Sequence, residues 1–351
     1  MNVSWCSDEP YGPRSSPQAN RQLQGRREIG PDLSGAASYT DGTNTTTIAR
    51  DDTGRITALA GAETATYTYD NAGQLLTATT PAGTWTYGYD DRGHLTGITD
   101  AGGTHTIAVD NSGRITTVNA TSATYDNAGR PTSIPLPDGT VIDYSYDARG
   151  LPATVTTTNG STVTTETRTY DGDRRLVSVD INDGATTSTW DFDWDIAAPI
   201  PQIHSWTDAA GTTNFIYGHE RIGLIDPTAT TGQFGLNTHG DTTAGTTTGY
   251  AVANPAGPFG EVAATTTPAF GYRGELQLVN QTHLRARDLT NTIGRFDRPD
   301  PLDGVDGTPT IASPYHYTNN NPTNLNDPLG LRPRANEMRE RAQLQDDNPN
   351  L

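Results

Sequence analysis

A unit of roughly 20 residues recurs from Asp51 onward, and this periodicity limits the fold more than any other feature of the chain. Each copy runs aromatic, aspartate, two residues, glycine, a basic or polar residue, then an apolar one. The best copies are Tyr69-Asp70-Asn71-Ala72-Gly73-Gln74-Leu75, Tyr89-Asp90-Asp91-Arg92-Gly93-His94-Leu95, Val109-Asp110-Asn111-Ser112-Gly113-Arg114-Ile115, Tyr125-Asp126-Asn127-Ala128-Gly129-Arg130 and Tyr146-Asp147-Ala148-Arg149-Gly150-Leu151. Weaker ones stand at Asp51 and Tyr170-Asp171. Successive aspartates lie 19, 20, 20, 16, 21 and 24 residues apart.

The residues of one unit dictate its shape. An aspartate carboxylate accepts nearby backbone N–H groups, and glycine three residues later takes the positive φ that closes a tight turn. Each Asp-x-x-Gly therefore reads as a hairpin turn. Between turns threonine alternates with aromatic residues, as in Thr64-Ala65-Thr66-Tyr67-Thr68-Tyr69 and Thr84-Trp85-Thr86-Tyr87-Gly88-Tyr89. That period of two describes a strand with one aromatic face. A second turn falls within the unit at Pro81-Ala82-Gly83, Ala101-Gly102-Gly103 and Pro137-Asp138-Gly139. One such hairpin cannot stand alone. Stacking them predicts an all-β chain, a long antiparallel sheet held by nearest-neighbour contacts.

Composition agrees and removes several function classes. Threonine supplies 59 of 351 residues while the apolar fraction is only 32%, which excludes a helical bundle. All 23 basic residues are arginine. Without lysine there is no Walker-type phosphate loop and no Schiff-base chemistry. A net charge of −18 argues against nucleic acid as a partner, because affinity for phosphate backbones comes from basic side chains. No run approaches the roughly 20 apolar residues of a membrane span. The polar stretch from Met1 to Arg27 shows no signal peptide, and the single Cys6 forms no disulfide framework. The aspartates lack the bidentate glutamate of a calcium loop, and the seven histidines lack zinc-ligand spacing. No metal or other cofactor is expected.

The repeated segments resemble the tyrosine-aspartate (YD) repeats of the Rhs family, shared with the C subunits of bacterial Tc toxins, wall-associated proteins and teneurins. In that family the repeats coil into a spiralling β-sheet shell around a C-terminal toxin. From about Trp190 the repeat decays and a second set of motifs begins. They are Phe234-Gly235-Leu236-Asn237-Thr238-His239-Gly240-Asp241, Gly257-Pro258-Phe259-Gly260-Glu261-Val262, Phe270-Gly271-Tyr272-Arg273-Gly274-Glu275, His283-Leu284-Arg285-Ala286-Arg287-Asp288 and Gly294-Arg295-Phe296-Asp297-Arg298-Pro299-Asp300-Pro301-Leu302. Pro314-Tyr315-His316-Tyr317-Thr318-Asn319-Asn320-Asn321-Pro322 and Asp327-Pro328-Leu329-Gly330-Leu331 complete the series. In this order they resemble the Rhs-associated core. The organisation expected is a poorly ordered segment at 1–50, YD repeats at 51–190, the core at 191–331 and a short tail at 332–351.

In the family the core is an aspartyl autoprotease that cuts the chain just after its second Asp-Pro-x-Gly-Leu motif. By position, the resemblance implies that Arg287 is the required arginine, Asp300 the catalytic aspartate and Leu331-Arg332 the scissile bond, reached in a single turnover. Paired carboxyl groups suit this chemistry, one acting as acid while the other activates water. A bidentate arginine orients one of them. The chain departs from the family's Arg-Tyr-Tyr-Asp-Pro, reading Arg287-Asp288-Leu289-Thr290-Asn291 instead, and its first motif carries an extra residue, Asp300-Pro301-Leu302-Asp303-Gly304. The second carboxylate is open among Asp288, Asp303 and Asp327. By residue type alone, Asp-Pro pairs are turn formers and Arg287 an ion-pair partner.

The tail from Arg332 to Leu351 is too short for an independently folded toxin, which predicts a fragment or displaced cassette of a longer relative. The resemblance implies three partners: the chain's own C-terminal toxin segment, an immunity protein and delivery machinery. It also implies export or display at the cell surface. The alternative is a non-catalytic surface scaffold whose exposed tyrosines and tryptophans bind glycans.

Overall fold

The computed structural model describes residues 38–41, 44–218, 221–243, 256–261, 267–301 and 313–331. Ten strands from Ser38–Asp41 to Thr121–Ser122 form one sheet, and eleven from Thr124–Tyr125 to Thr231–Gln233 form a second. In both, each strand pairs antiparallel with its sequence neighbours, the meander expected of stacked hairpins. The second sheet continues past residue 190, which lies inside the strand Thr187–Asp195. Two strands, Ser38–Asp41 and Asn44–Arg50, precede residue 51. No helix among the described residues is long and apolar enough to cross a membrane.

The Asp-x-x-Gly turns form as their residues require. At Asp147 one carboxylate oxygen accepts the N–H groups of Arg149 at 2.8 Å and Leu151 at 2.9 Å. Gly150 takes a φ of 79° and donates its N–H to the Asp147 carbonyl at 3.0 Å. The other carboxylate oxygen is left for a side chain. At Asp51, Asp110, Asp126 and Asp171 it accepts the Nε–H of the arginine four residues on, at 2.7 to 2.8 Å. Gln74 and His94 fill the same place beside Asp70 and Asp90.

Three of the tyrosines that open these motifs tie one repeat to the one before. Tyr69 donates its hydroxyl to the Ile56 carbonyl, Tyr89 to Leu75 and Tyr146 to Pro131, each within 2.7 Å. The turn arginine of the earlier repeat stacks on the later tyrosine, with Arg55 4.8 Å from the Tyr69 ring and Arg130 4.4 Å from that of Tyr146. A planar guanidinium does both tasks at once.

Strand alternation sorts the residues as the period of two predicts, but the buried face is the aromatic one. Tyr67, Trp85, Tyr87, Tyr144, Trp190 and Trp206 are all under 9% exposed. The outer face carries threonines whose hydroxyls pair across strands, as Thr68 does with Thr77 and Thr99 with Thr104. Among the described residues of these strands, the exposed aromatic surface that a glycan scaffold would use is therefore absent. Large rings leave water because their transfer outweighs any single surface contact.

What these rings pack against is the C-terminal core. Five short strands, Ala269–Phe270, Leu276–Leu278, Gln281–Leu284, Arg287–Thr290 and Arg295–Phe296, form a third sheet in which every residue is buried. Leu284, Leu289 and Phe296 join the apolar cluster of the first sheet; Phe270, Leu276 and Leu278 join that of the second. Polar docking adds register. Four successive turn glycines offer their carbonyls to the core: Gly93 to Asn320, Gly113 to Arg295, Gly129 to Tyr315 and Gly150 to Arg298. The repeat thus presents a regular row of acceptors, and the core reads it.

Candidate functional site

A strand buried on both faces can carry charge only if each charge is paired. The strand Arg287–Thr290 does this twice, because neighbouring side chains leave a strand on opposite faces. Arg287 and Asp288, adjacent in sequence, serve two separate networks.

On one face Arg287, only 2% exposed, gathers the C-terminal motif. Its Nε donates to the Gly330 carbonyl at 2.5 Å and its Nη1 to the Pro314 carbonyl at 2.9 Å. Its Nη2 lies 3.2 Å from Asp300 Oδ2 and 3.5 Å from Asp327 Oδ2. The guanidinium also stacks on Phe296, 3.6 Å from the ring centre. Asp300 is fixed from a second direction, its N–H donating at 2.9 Å to the same Pro314 carbonyl. Asp327 Oδ1 accepts the N–H of Leu331 at 3.0 Å, so the carboxyl group folds back onto its own turn. Burial works against the charge on Arg287 and lowers its pKa, although Asp300 and then Asp327 favour the charged form.

On the other face Asp288 is fully buried between Arg168 at 2.8 Å and His283 Nδ1 at 2.7 Å. Burial alone would raise its pKa, but the Arg168 guanidinium outweighs that, followed by the His283 contacts, and holds the carboxyl well below the usual carboxylate range. Arg168 is shared with Glu166, whose other oxygen accepts the Val279 N–H at 2.8 Å. Asp288 therefore ties the core to the second sheet and does not face Asp300 or Asp327.

Of the residues singled out in the sequence, Arg287, Asp300, Asp327, Pro328, Gly330 and Leu331 come together, and Asp288 stands apart. Asp303 and Arg332 lie outside the described residues. Glu166 and Arg168 drew no notice in the sequence, and His283 was noted only as the first residue of a motif. Their signal was there, in two charged residues at inward positions of the alternating strand Thr162–Tyr170. No group of three or more metal-ligating side chains occurs among the described residues.

Two carboxyl groups on one guanidinium nitrogen, beside a peptide carbonyl held by the same guanidinium, form an arrangement suited to acid–base attack on a peptide bond. The fold around it defines a shell of stacked β-hairpins closed on a buried core sheet. Residues 43–122 match the teneurin YD-shell family and residues 125–162 the RHS repeat. No curated protein sequence matches the chain. Among solved structures, the Photorhabdus luminescens Tc holotoxin pore, with an aspartate-to-alanine substitution in TccC3, aligns over 84% of this chain at 18% identity and a TM-score of 0.61. TcdB2–TccC3 aligns over 82% at 19% identity and 0.59, and the same pair without its hypervariable C-terminal region over 82% at 18% and 0.56. The alignments span 17% of each of those chains, and at this identity they establish the fold alone.

Proposed function

We propose that this chain is an RHS-type β-shell segment of a toxin system that encloses a C-terminal segment and cuts itself once, after Leu331. The observation that carries the reading is the convergence of Asp300 and Asp327 on Arg287 Nη2 while Arg287 Nε holds the Gly330 carbonyl. Asp300 and Asp327 are the acid–base pair. One takes a proton from water as the hydroxide adds to the Leu331 carbonyl carbon; the other gives a proton to the nitrogen of Arg332 as that bond breaks. Water is consumed, and a carboxyl group and an amine result. Arg287 positions both carboxyl groups and the backbone beside them. Because the bond is tethered, positioning by the fold replaces substrate affinity, and effective concentrations far above any free peptide's are reached. Likeness to Tc toxin components, one solved without a hypervariable C-terminal region, supports the shell and the toxin-system reading.

Intact mass of the purified chain tests this. The expected species ends at Leu331, and Asp300→Asn and Asp327→Asn each leave the chain uncut. A wild-type chain that stays uncut after folding overturns the proposal.

A further inference from the structure

The segment before the proposed cut is gripped by more than Arg287. Three consecutive carbonyls, of Pro328, Leu329 and Gly330, are met by three consecutive residues of the core. Arg285 Nη1 donates to Pro328 at 2.6 Å, the Ala286 N–H to Leu329 at 3.2 Å, and Arg287 Nε to Gly330 at 2.5 Å. Arg285 is itself anchored on three sides: Nε on the Pro201 carbonyl at 2.8 Å, Nη1 on Glu275 at 2.8 Å, and Nη2 by Gln202 at 3.4 Å. Glu275 neutralises it, Gln202 opens the strand Gln202–Asp208 of the second sheet, and Pro201 immediately precedes that strand. Arg285 adopts a φ of 60°, a left-handed conformation that is strained for a residue with a Cβ.

We infer that Arg285 is a positioning residue for self-cleavage, a clamp that couples the shell wall to the Pro328 carbonyl and so sets where Leu331 sits. This rests on the proposed cut after Leu331. Arg285 touches neither Leu331 nor the two carboxyl groups in any described hydrogen bond; it acts through the segment it holds. The clamp also fixes which sequence fits. A Cβ on Gly330 would lie 2.6 Å from the Leu284 carbonyl oxygen and 2.9 Å from the Arg287 nitrogen, both backbone atoms unable to retreat. The carbonyl ladder therefore closes only on glycine there. Once cut, the chain end at Leu331 stays clamped, and the site accepts no second peptide.

The test uses the full chain made by cell-free synthesis, with cleavage followed by intact mass after a pulse label. Arg285→Ala is expected to slow the first-order cut about 100-fold, the scale on which a misplacement of about 1 Å acts, without changing the shape of its pH profile. Arg285→Lys, a single ammonium in place of a fork, restores part of the rate. A wild-type rate in Arg285→Ala overturns the clamp while leaving the cut itself intact. A second measurement does not depend on cleavage. In the Asp300→Asn background, Arg285→Ala is expected to speed hydrogen exchange at the Gly330 and Leu331 amides at least tenfold relative to Asp300→Asn alone. Unchanged protection there also overturns the clamp, whereas faster exchange beside an uncut wild type rejects only the cut.

Discussion

Single side chains in the repeat do several jobs, and their removal is correspondingly specific. The tyrosine hydroxyl is the simplest case. Tyr89 is half-buried and its only described hydrogen bond from the side chain runs 2.7 Å to the Leu75 carbonyl of the preceding repeat. Burial raises the tyrosine pKa well out of reach, so the hydroxyl is always a donor. Tyr89→Phe keeps the ring and deletes one bond, and is expected to cost about 1 kcal/mol in urea unfolding. The same substitution at Tyr146, which serves Pro131 in the same way, should cost a similar amount. An effect confined to one of them would mean that the ladder is not equivalent from repeat to repeat. The sequence made the turn aspartate and glycine legible because their partners lie within four residues. It did not reveal the tyrosine's partner, some 14 residues back on the neighbouring strand, nor the arginine stacked on it. Arginine alone among basic residues fits a place that requires both pairing and stacking, which gives the absence of lysine a local reason at Arg55, Arg114 and Arg130.

At the level of the hairpin, the same turn tolerates residues that its geometry disfavours. Where six turns have glycine at the fourth position, the turn at Asp171 has Arg174 with a φ of 70° and the turn at Asp226 has Ala229 with a φ of 64°. Alanine there bears a strain of about 1 kcal/mol that glycine does not, partly offset by the freedom glycine loses on folding. Ala229→Gly should therefore stabilise the second sheet by roughly 0.5 kcal/mol, read as a small rise in Tm. A fall would show that the turn is set by Pro227 and Thr228 instead. The core strand Arg287–Thr290 sets the limit of reading elements from sequence. Its motif was visible, and alternation alone separates Arg287 from Asp288. The partner of Asp288 was not visible, because Arg168 is 120 residues away and on a different sheet. Local patterns specify which side of a strand a residue leaves from; what waits there depends on how the sheets close.

Over the whole molecule, shell and core are held together by buried polar contacts, and some of these respond to pH. His316 sits in the core, 5% exposed, edge-on to His94 at 5.8 Å, and its Nε2 has no hydrogen-bond partner among the described residues. Burial first, then Arg295 and His94, push its pKa down from 6.5 to about 3, with Asp90 opposing weakly. A depressed histidine binds fewer protons in the folded chain than in the unfolded one. Its contribution to stability is therefore complete above pH 6.5 and is lost as pH falls toward about 3. His239, pushed down to about 4 by burial and Arg273, acts in the same sense. The turn carboxylates, with pKa values below the usual range, add their own loss only at lower pH, whereas Glu261, pushed up to about 7 by burial, takes a proton in the folded chain first and opposes the histidines between about pH 7 and 4.5. At about pH 5, His316 alone should cost about 2 kcal/mol of unfolding free energy relative to neutral pH. His316→Phe fills the same space without a titrating nitrogen and should flatten that part of the profile. Urea midpoints at both pH values distinguish the cases, and an equal slope in the variant would place the acid sensitivity elsewhere.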